Sequence, residues 1–337
     1  FNCQISRRNQ KEKSSNNCHF CQNRVSERKM SDAAQTQTNI TNGMRLSDKL
    51  LFSFLTTLPS CIFFFINGTL LVTLRSKPMF CGNCRYVLLC NLLIGDILFL
   101  ALSQLLYLLS ISRITMLYPV CALLIMLSTL TDSISPLTLV VMSMERYIAV
   151  CHPLRHAAIV TIRNTSVVIL LIWTFCFLNV LIQTLLLLTF ILEALQRKEL
   201  CLAALQYPTP TSREYSKAYT CVLFVSTAVV IISTYTGVAA AARSASADKA
   251  SAQKARNTLL LHLVQLGLSL SSTTHSFLVL SVSKLVTRMV FVRIQNVLYV
   301  FLFVLPRCLS ALIYGIRDQS IRSILVYKLS CNMPEYQ

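Results

Sequence analysis

One long apolar segment of this chain lies at residues 166–192 and reads SVVILLIWTFCFLNVLIQTLLLLTFIL. It contains no charged residue, and it lacks the polar–apolar alternation found in strands of membrane barrels. A helix crosses the hydrocarbon core of a bilayer, about 30 Å, with about 20 mostly apolar residues. Because a helix also satisfies its own backbone hydrogen bonds in lipid, we predict that this segment is a transmembrane helix.

Six more segments of this kind occur, joined by polar connectors too short to fold as separate domains. The seven predicted spans are residues 50–74, 86–109, 119–144, 166–192, 218–242, 257–281 and 294–316. The sequence therefore predicts an all-α membrane protein with a seven-helix bundle over residues 50–316. No internal repeat is visible, which counts against transporters built from paired halves.

The composition agrees with this prediction. Of the 337 residues, 54% are hydrophobic and 13% are charged, whereas a soluble domain has about 25% charged residues. The net charge is +18, but the basic residues are scattered between apolar runs, so we expect no nucleic-acid partner. We find no nucleophile–base pair, no phosphate-binding loop and no complete set of metal ligands. We therefore expect neither catalytic residues nor a structural metal site.

The amino-terminal tail is polar and is predicted to be extracellular over residues 1–49. Its residues 1–29 look foreign to the rest of the chain, and we expect Met30 to be the native start. Asn39-Ile40-Thr41 is a sequon for N-glycosylation, which requires a lumenal location. The distribution of Lys and Arg leans weakly toward the same orientation.

A charged pair marks the end of the third span, where residues 142–155 read MSMERYIAVCHPLR. Glu145 beside Arg146 at the membrane boundary lets two charges that are costly in lipid neutralise each other. Release of the arginine would open a site for a partner. The alternative is an ordinary helix-end arginine whose charged head reaches water.

This stretch resembles the MAYDRYVAICxPL signature of odorant receptors, a branch of the rhodopsin-like (class A) G-protein-coupled receptors. Further elements resemble the family in the same order along the chain: Asn67, Asp96, KPMF at 77–80, Trp173, STY at 233–235, the element containing Lys254 and His262, and LPRCLSALIYGIRD at 305–318. The last element is similar to the end of the seventh helix in fish odorant receptors.

The resemblance implies roles for particular residues. Those assigned to activation and G-protein coupling are Asn67, Asp96, Glu145, Arg146, Tyr147, Tyr235, His262, Arg307 and Tyr314. Asn67 and Asp96 are expected to meet inside the bundle around water or a sodium ion, and Tyr235 is expected to meet Arg146 when the bundle opens. A disulfide between Cys121 and Cys201 is expected to pin a lid over the ligand pocket.

The ligand pocket is expected in the outer half of the bundle, mostly apolar with a few polar groups. Helical periodicity and the family resemblance together select Ser128, Thr129, Asp132, Ser133, Tyr219, Leu270, Thr273, Thr274 and Phe277. Asp132 has two interpretations: it counters a cationic group on a ligand, or it pairs with a neighbouring side chain as a structural element. We favour the structural interpretation.

The seventh span departs from the family pattern. Ala311 stands where relatives have proline and Ser310 where they have asparagine, which predicts a straighter helix and puts switching efficiency in question. Arg307 points by spacing into the bundle and is predicted to pair with Asp96. Residues 317–337 are predicted to form a cytoplasmic tail that begins with an amphipathic helix on the membrane surface; palmitoylation of Cys331 is left open.

These observations predict a plasma-membrane odorant receptor that binds a small, water-soluble odorant. Its partner would be a heterotrimeric G protein of the olfactory stimulatory type, contacting Arg146, the second inner loop and the 243–256 connector. The alternatives are a class A receptor for amines or peptides, a transporter or channel, and the product of a decayed gene.

Overall fold

The computed structural model describes residues 46–76, 80, 82–193, 198–201, 209–244, 288–305 and 307, together with the single residues 257, 260, 264 and 267. In chain order its elements are α1 Leu46–Ser76, α2 Cys84–Ile111, β1 Thr115–Leu117, α3 Tyr118–Cys151, α4 Pro153–Ile159, α5 Ile162–Glu193, β2 Lys198–Leu200, α6 Pro210–Ser244 and α7 Arg288–Tyr299, followed by a π-helical turn at Val300–Val304.

Five of these helices, α1, α2, α3, α5 and α6, are long and apolar enough to cross a membrane. They correspond to the first five predicted spans. The seventh predicted span is helical from Arg288 as far as it is described. The sixth predicted span lies largely outside the described residues, and the tail helix after residue 316 lies wholly outside them.

The observed helices are longer than the predicted spans because hydropathy marks only the part of a helix that lies in lipid. The largest difference is at α6, which begins at Pro210 rather than at residue 218. The predicted connector includes residues 210–217, and that boundary is wrong. Proline is compatible with the first turn of a helix, where its missing N–H has no intrahelical partner to lose.

The described helices carry apolar residues outward and polar residues inward. Large apolar side chains are exposed on the bundle surface, including Leu170 (66% exposed) and Val222 (69% exposed). Thr56, Asn67 and Asp96 are fully buried. This distribution suits a bundle whose outer surface is solvated by lipid tails and whose polar groups meet inside.

The third span, α3, packs against α2, α5 and α6. It approaches α2 closely at Gly95, where an added Cβ would lie 3.1 Å from Ile134. A buried apolar cluster next to this contact includes Leu92 and Leu139. The glycine thus allows the two backbones to approach and brings the polar residues that follow it into reach of α3.

A short antiparallel β-pair, β1 with β2, accompanies the helices, with Thr115 opposite Leu200 and Leu117 opposite Lys198. The sequence does not predict this pair, because three residues per strand are too few to show a period of two. Arg113 adopts a positive φ of 56° in the turn that leads from α2 into β1. The pair lies beside Cys121 and Cys201, at what we call the disulfide end of the bundle.

Candidate functional site

The predicted disulfide between Cys121 and Cys201 is confirmed. Its two cysteines are buried with Tyr118 and Ile125, at the start of α3. The bond ties the chain between α5 and α6 to the first turn of α3. From this end, α3 runs along the bundle past Asp132 and Ser135 to Glu145 and Arg146 at the opposite end, which we call the Arg146 end.

The centre of the bundle contains an ion-pair cluster of three side chains. Arg307 Nη1 lies 2.9 Å from Asp96 Oδ1, and Arg307 Nη2 lies 2.5 Å from Asp132 Oδ1. Nη2 also donates a hydrogen bond to the Asp132 carbonyl at 3.2 Å. The predicted contact between Arg307 and Asp96 is therefore present, and Asp132 pairs with a neighbouring side chain, as in the structural interpretation.

Two further residues enclose the cluster. The Ser135 hydroxyl donates to Asp96 Oδ1 at 2.6 Å, and the Arg307 guanidinium lies over the Phe99 ring, 4.6 Å from its centroid. Asp96 Oδ2 and both polar atoms of the Asn67 amide are buried without a hydrogen bond to another described residue. The side chains of Asp96 and Arg307 are 0% and 1% exposed, but that of Asp132 is 30% exposed.

The pocket residues predicted on α3 lie beside this cluster on the side toward the disulfide end. Ser128 and Thr129 are half-buried, and the buried Ser133 hydroxyl donates to the Thr129 carbonyl at 3.4 Å. Thr129 in turn donates to the Ile125 carbonyl at 3.0 Å. The hydroxyls of Ser133 and Thr129 thus donate to backbone carbonyls of α3 itself.

Tyr219 of α6 belongs to an aromatic row, with ring centroids 6.1 Å from Phe175 and 6.4 Å from Tyr215. Its hydroxyl is buried, lies close to the Ser133 side chain and interacts electrostatically with Asp132. The structure therefore brings the α6 tyrosine to the α3 residues selected from the sequence.

Two residues of this region were missed. Asn179 and Gln183 of α5 are 3% and 2% exposed, and Asn179 Oδ1 accepts a hydrogen bond of 3.1 Å from the Tyr215 hydroxyl. Asn179 Nδ2 and Gln183 Oε1 have no hydrogen bond to another described residue. Their spacing of four residues inside an apolar run puts them on one helix face, and that signal was available in the sequence.

Another polar connection, also missed, links three helices between the two ends. Trp173 Nε1 donates to Asn91 Oδ1 at 2.9 Å, and Asn91 Nδ2 donates to Thr138 Oγ1 at 2.9 Å. Asn91 and Thr138 are buried. The tryptophan selected by family position thus joins α5 to α2 and, through Asn91, to α3.

At the Arg146 end, Arg146 Nε lies 3.3 Å from Glu145 Oε2. His156 Nε2 of α4 lies 3.7 Å from the other oxygen, Glu145 Oε1. The predicted pairing of the two charges is therefore present. In α4, Leu154 is 97% exposed.

The carboxy-terminal part of α6 packs closely on α3 at this end. A Cβ added to Gly237 would collide with the Tyr147 ring. Tyr235 is half-buried, and its side chain makes no hydrogen bond with another described residue. The contact between Tyr235 and Arg146 expected in an open bundle stays a prediction.

Several predicted site residues lie outside the described residues, and they too stay predictions: Asn39, His262, Leu270, Thr273, Thr274, Phe277, Ala311, Tyr314 and Cys331.

Comparison with known proteins agrees with this arrangement. The chain matches the family model of the 7 transmembrane receptor (rhodopsin family) over residues 66–314. It is 29% identical over 274 residues to Odorant receptor 131-2 of Danio rerio, an alignment that covers 81% of this chain and 84% of that relative. With a match over most of its length, the chain belongs to the rhodopsin family of seven-transmembrane receptors.

Proposed function

We propose that this protein is an odorant receptor that binds a small odorant inside its helix bundle and activates a heterotrimeric G protein. Family membership and the membrane-spanning helices make it a multi-pass protein of the plasma membrane. The olfactory role is supported by the similarity to Odorant receptor 131-2. We propose seven spans, with the amino terminus and the disulfide end outside the cell.

The observation that carries the proposal is the layout of α3. One continuous helix bears the disulfide at Cys121, the partly exposed Asp132 in the middle and the Glu145–Arg146 pair at the other end. A shift of this helix on ligand binding would reach both ends, because the helix is continuous from Tyr118 to Cys151, past Pro136 in its interior. A receptor needs such a connection between the site that binds the ligand and the end that binds the partner protein.

The ligand would lie between α3, α5 and α6. Asp132, Tyr219, Asn179 and Gln183 supply polar groups there, and the aromatic row of Phe175, Tyr215 and Tyr219 supplies apolar surface. A site of this kind, mostly apolar with a few polar groups, orients a small molecule and selects it by hydrogen bonding. The predicted residues of the sixth span would complete the pocket.

The partner would dock at the Arg146 end. Leu154 is 97% exposed on α4, the helix whose His156 lies 3.7 Å from Glu145. An isolated exposed leucine beside charges suits a contact in which an apolar anchor enters a partner's pocket and charges surround it. The olfactory stimulatory G protein is our proposal for that partner.

A second candidate, a receptor for amines, is favoured by one observation. Asp132 is the most exposed member of the ion-pair cluster, and Tyr219 interacts with it electrostatically. A carboxylate beside an aromatic ring suits an ammonium group. The pairing of Asp132 with Arg307 weakens this candidate, since a ligand amine would have to compete with a guanidinium for the carboxylate.

One experiment tests the function and separates these candidates. The full chain is expressed in cells that contain an olfactory stimulatory G protein, and cyclic AMP is measured with panels of amino acids, amines and bile-type compounds. We expect a response to some of these compounds that Arg146→Ala abolishes. Arg163→Ala, at an exposed arginine of α5, is the matched control and should respond like the wild type.

Activation by amines alone, lost in Asp132→Asn, would favour the amine receptor over the broader odorant role. Ligand-dependent flux of ions or solutes in vesicles without any G protein would instead contradict the receptor function.

A further inference from the structure

Both terminal nitrogens of the Arg307 guanidinium are hydrogen-bonded and one of its faces is covered by a ring, whereas Nε is buried without a hydrogen bond to another described residue. Nη1 donates to Asp96, Nη2 donates to the side chain and the carbonyl of Asp132, and Phe99 covers one face. The arginine side chain is 1% exposed. It is therefore a fixed positive charge in the middle of a membrane-spanning bundle, where an unpaired charge would be very costly.

The family resemblance implies a sodium ion at Asp96, and these residues do not fit one. Asp96 Oδ1 already accepts hydrogen bonds from Ser135 and from Arg307. A metal ion bound to this carboxylate would lie within a few ångströms of the guanidinium. Two positive charges at that distance repel each other strongly in a medium of low dielectric constant. Of the Asp96 oxygens, Oδ2 alone has no hydrogen bond to a described residue.

We propose that Arg307 is a built-in cation that takes the place of a metal ion at Asp96, so that the receptor is insensitive to sodium. A covalently attached cation differs from an ion because it cannot leave the bundle. The positive charge is then permanent, and it binds the seventh span to α2 through Asp96 and to α3 through Asp132.

The chain just before Arg307 supports this arrangement. The π-helical turn Val300–Val304 ends three residues before the arginine, and it changes the direction in which the following residues point, since a π-turn holds more residues than an α-turn. Val304 is fully buried against Leu100 of α2. The seventh span is thus packed onto α2 at the point from which Arg307 reaches Asp96.

The test uses the purified full chain and needs neither an odorant nor a G protein, so its outcome is independent of the proposed function. The midpoint of thermal unfolding is measured in sodium, potassium and N-methyl-D-glucamine chloride at equal ionic strength. An ion that binds the folded state raises the midpoint. We expect the same midpoint for the wild type in all three salts.

Arg307→Gln should gain a dependence on sodium, with a midpoint several degrees higher in sodium than in potassium, because Asp96 then lacks a counter-charge. Adding Asp96→Asn to this variant should remove the gain. Arg293→Gln changes an exposed arginine of α7 and is the matched control; it should behave like the wild type.

A wild-type midpoint that rises in sodium but not in potassium would overturn the proposal, since a metal would then bind beside the guanidinium, for example at Asp96 Oδ2. An Arg307→Gln variant that folds and shows no preference for sodium would overturn it too. If that variant does not fold, the wild-type comparison still decides, and Arg307→Lys, which keeps the charge, should be as insensitive to sodium as the wild type.

Discussion

Arg307 and Asp96 are 211 residues apart in the chain and form a buried hydrogen-bonded ion pair of 2.9 Å. The pair joins the seventh span to the second and shares its arginine with Asp132 of the third. One guanidinium therefore holds three helices together. A substitution of Arg307, Asp96 or Asp132 should alter the pairing of the other two side chains.

The first prediction concerns this coupling. Arg307→Gln leaves Asp96 buried without its counter-charge and should cost about 3–5 kcal/mol of unfolding free energy. Asp96→Asn alone should cost less, because Arg307 keeps Asp132. The double variant should be more stable than the sum of the two costs predicts, by about 0.5–3 kcal/mol. Denaturant titration of the four proteins in mixed micelles measures this, and strictly additive costs would show that the two residues do not interact.

The second prediction concerns the packing of α6 on α3. Gly237→Ala places a methyl group in the Tyr147 ring, and overpacking of this kind costs about 1–3 kcal/mol. We expect a lower unfolding midpoint and altered basal G-protein activation, because the Arg146 end must widen or Tyr147 must rotate.

Gly68→Ala is the matched control for this change, since an added Cβ there meets nothing within 4 Å. It should be neutral or slightly stabilising, as alanine is favoured over glycine inside a helix. Equal behaviour of the two variants would rule out close packing at Gly237.

The third prediction concerns the disulfide. Cys121→Ala and Cys201→Ala should each lower the unfolding free energy by about 2–5 kcal/mol and reduce the amount of receptor at the cell surface. The double variant should be no worse than either single variant, because both remove the same bond. Cys221→Ala, at an exposed free cysteine, is the control. A double variant markedly less stable than both would mean that the cysteines contribute separately.

The fourth prediction concerns the partner face and rests on the proposed function. Leu154→Ser should lower G-protein activation several-fold without changing the unfolding midpoint, because the side chain is 97% exposed and packs on nothing within the protein. Leu154→Met keeps an apolar anchor and should retain activation. Flow cytometry of surface receptor, run beside the cyclic AMP measurement, separates loss of coupling from loss of protein. Full activation by Leu154→Ser would exclude this leucine from the contact.

The sequence predicts features whose signal lies within one segment, and contacts between residues whose positions match the family pattern. The first five spans, the Cys121–Cys201 bond and the contact between Arg307 and Asp96 were all predicted. Prediction fails where the signal is short or depends on a neighbour. The β-pair at Thr115–Leu117 has too few residues to show a period, and Pro210 lies in a predicted connector but begins a helix.

The sharing of Arg307 is the clearest example of a feature that only the fold reveals. Asp132 was selected from the sequence as a ligand contact or a structural group, without its partner being known. Arg307 and Asp132 are 175 residues apart along the chain, so no local sequence pattern can predict their contact. The same holds for the link from Trp173 through Asn91 to Thr138.

The sequence by itself determined that this chain is a bundle of membrane helices, because the length and polarity needed to cross lipid are properties of each segment alone. It also determined which segments carry charge into the bilayer. The tertiary structure decided how those charges are neutralised, since pairing depends on which helices lie side by side and how each is rotated. Asp96 and Asp132 share one arginine because α2, α3 and the seventh span meet around it.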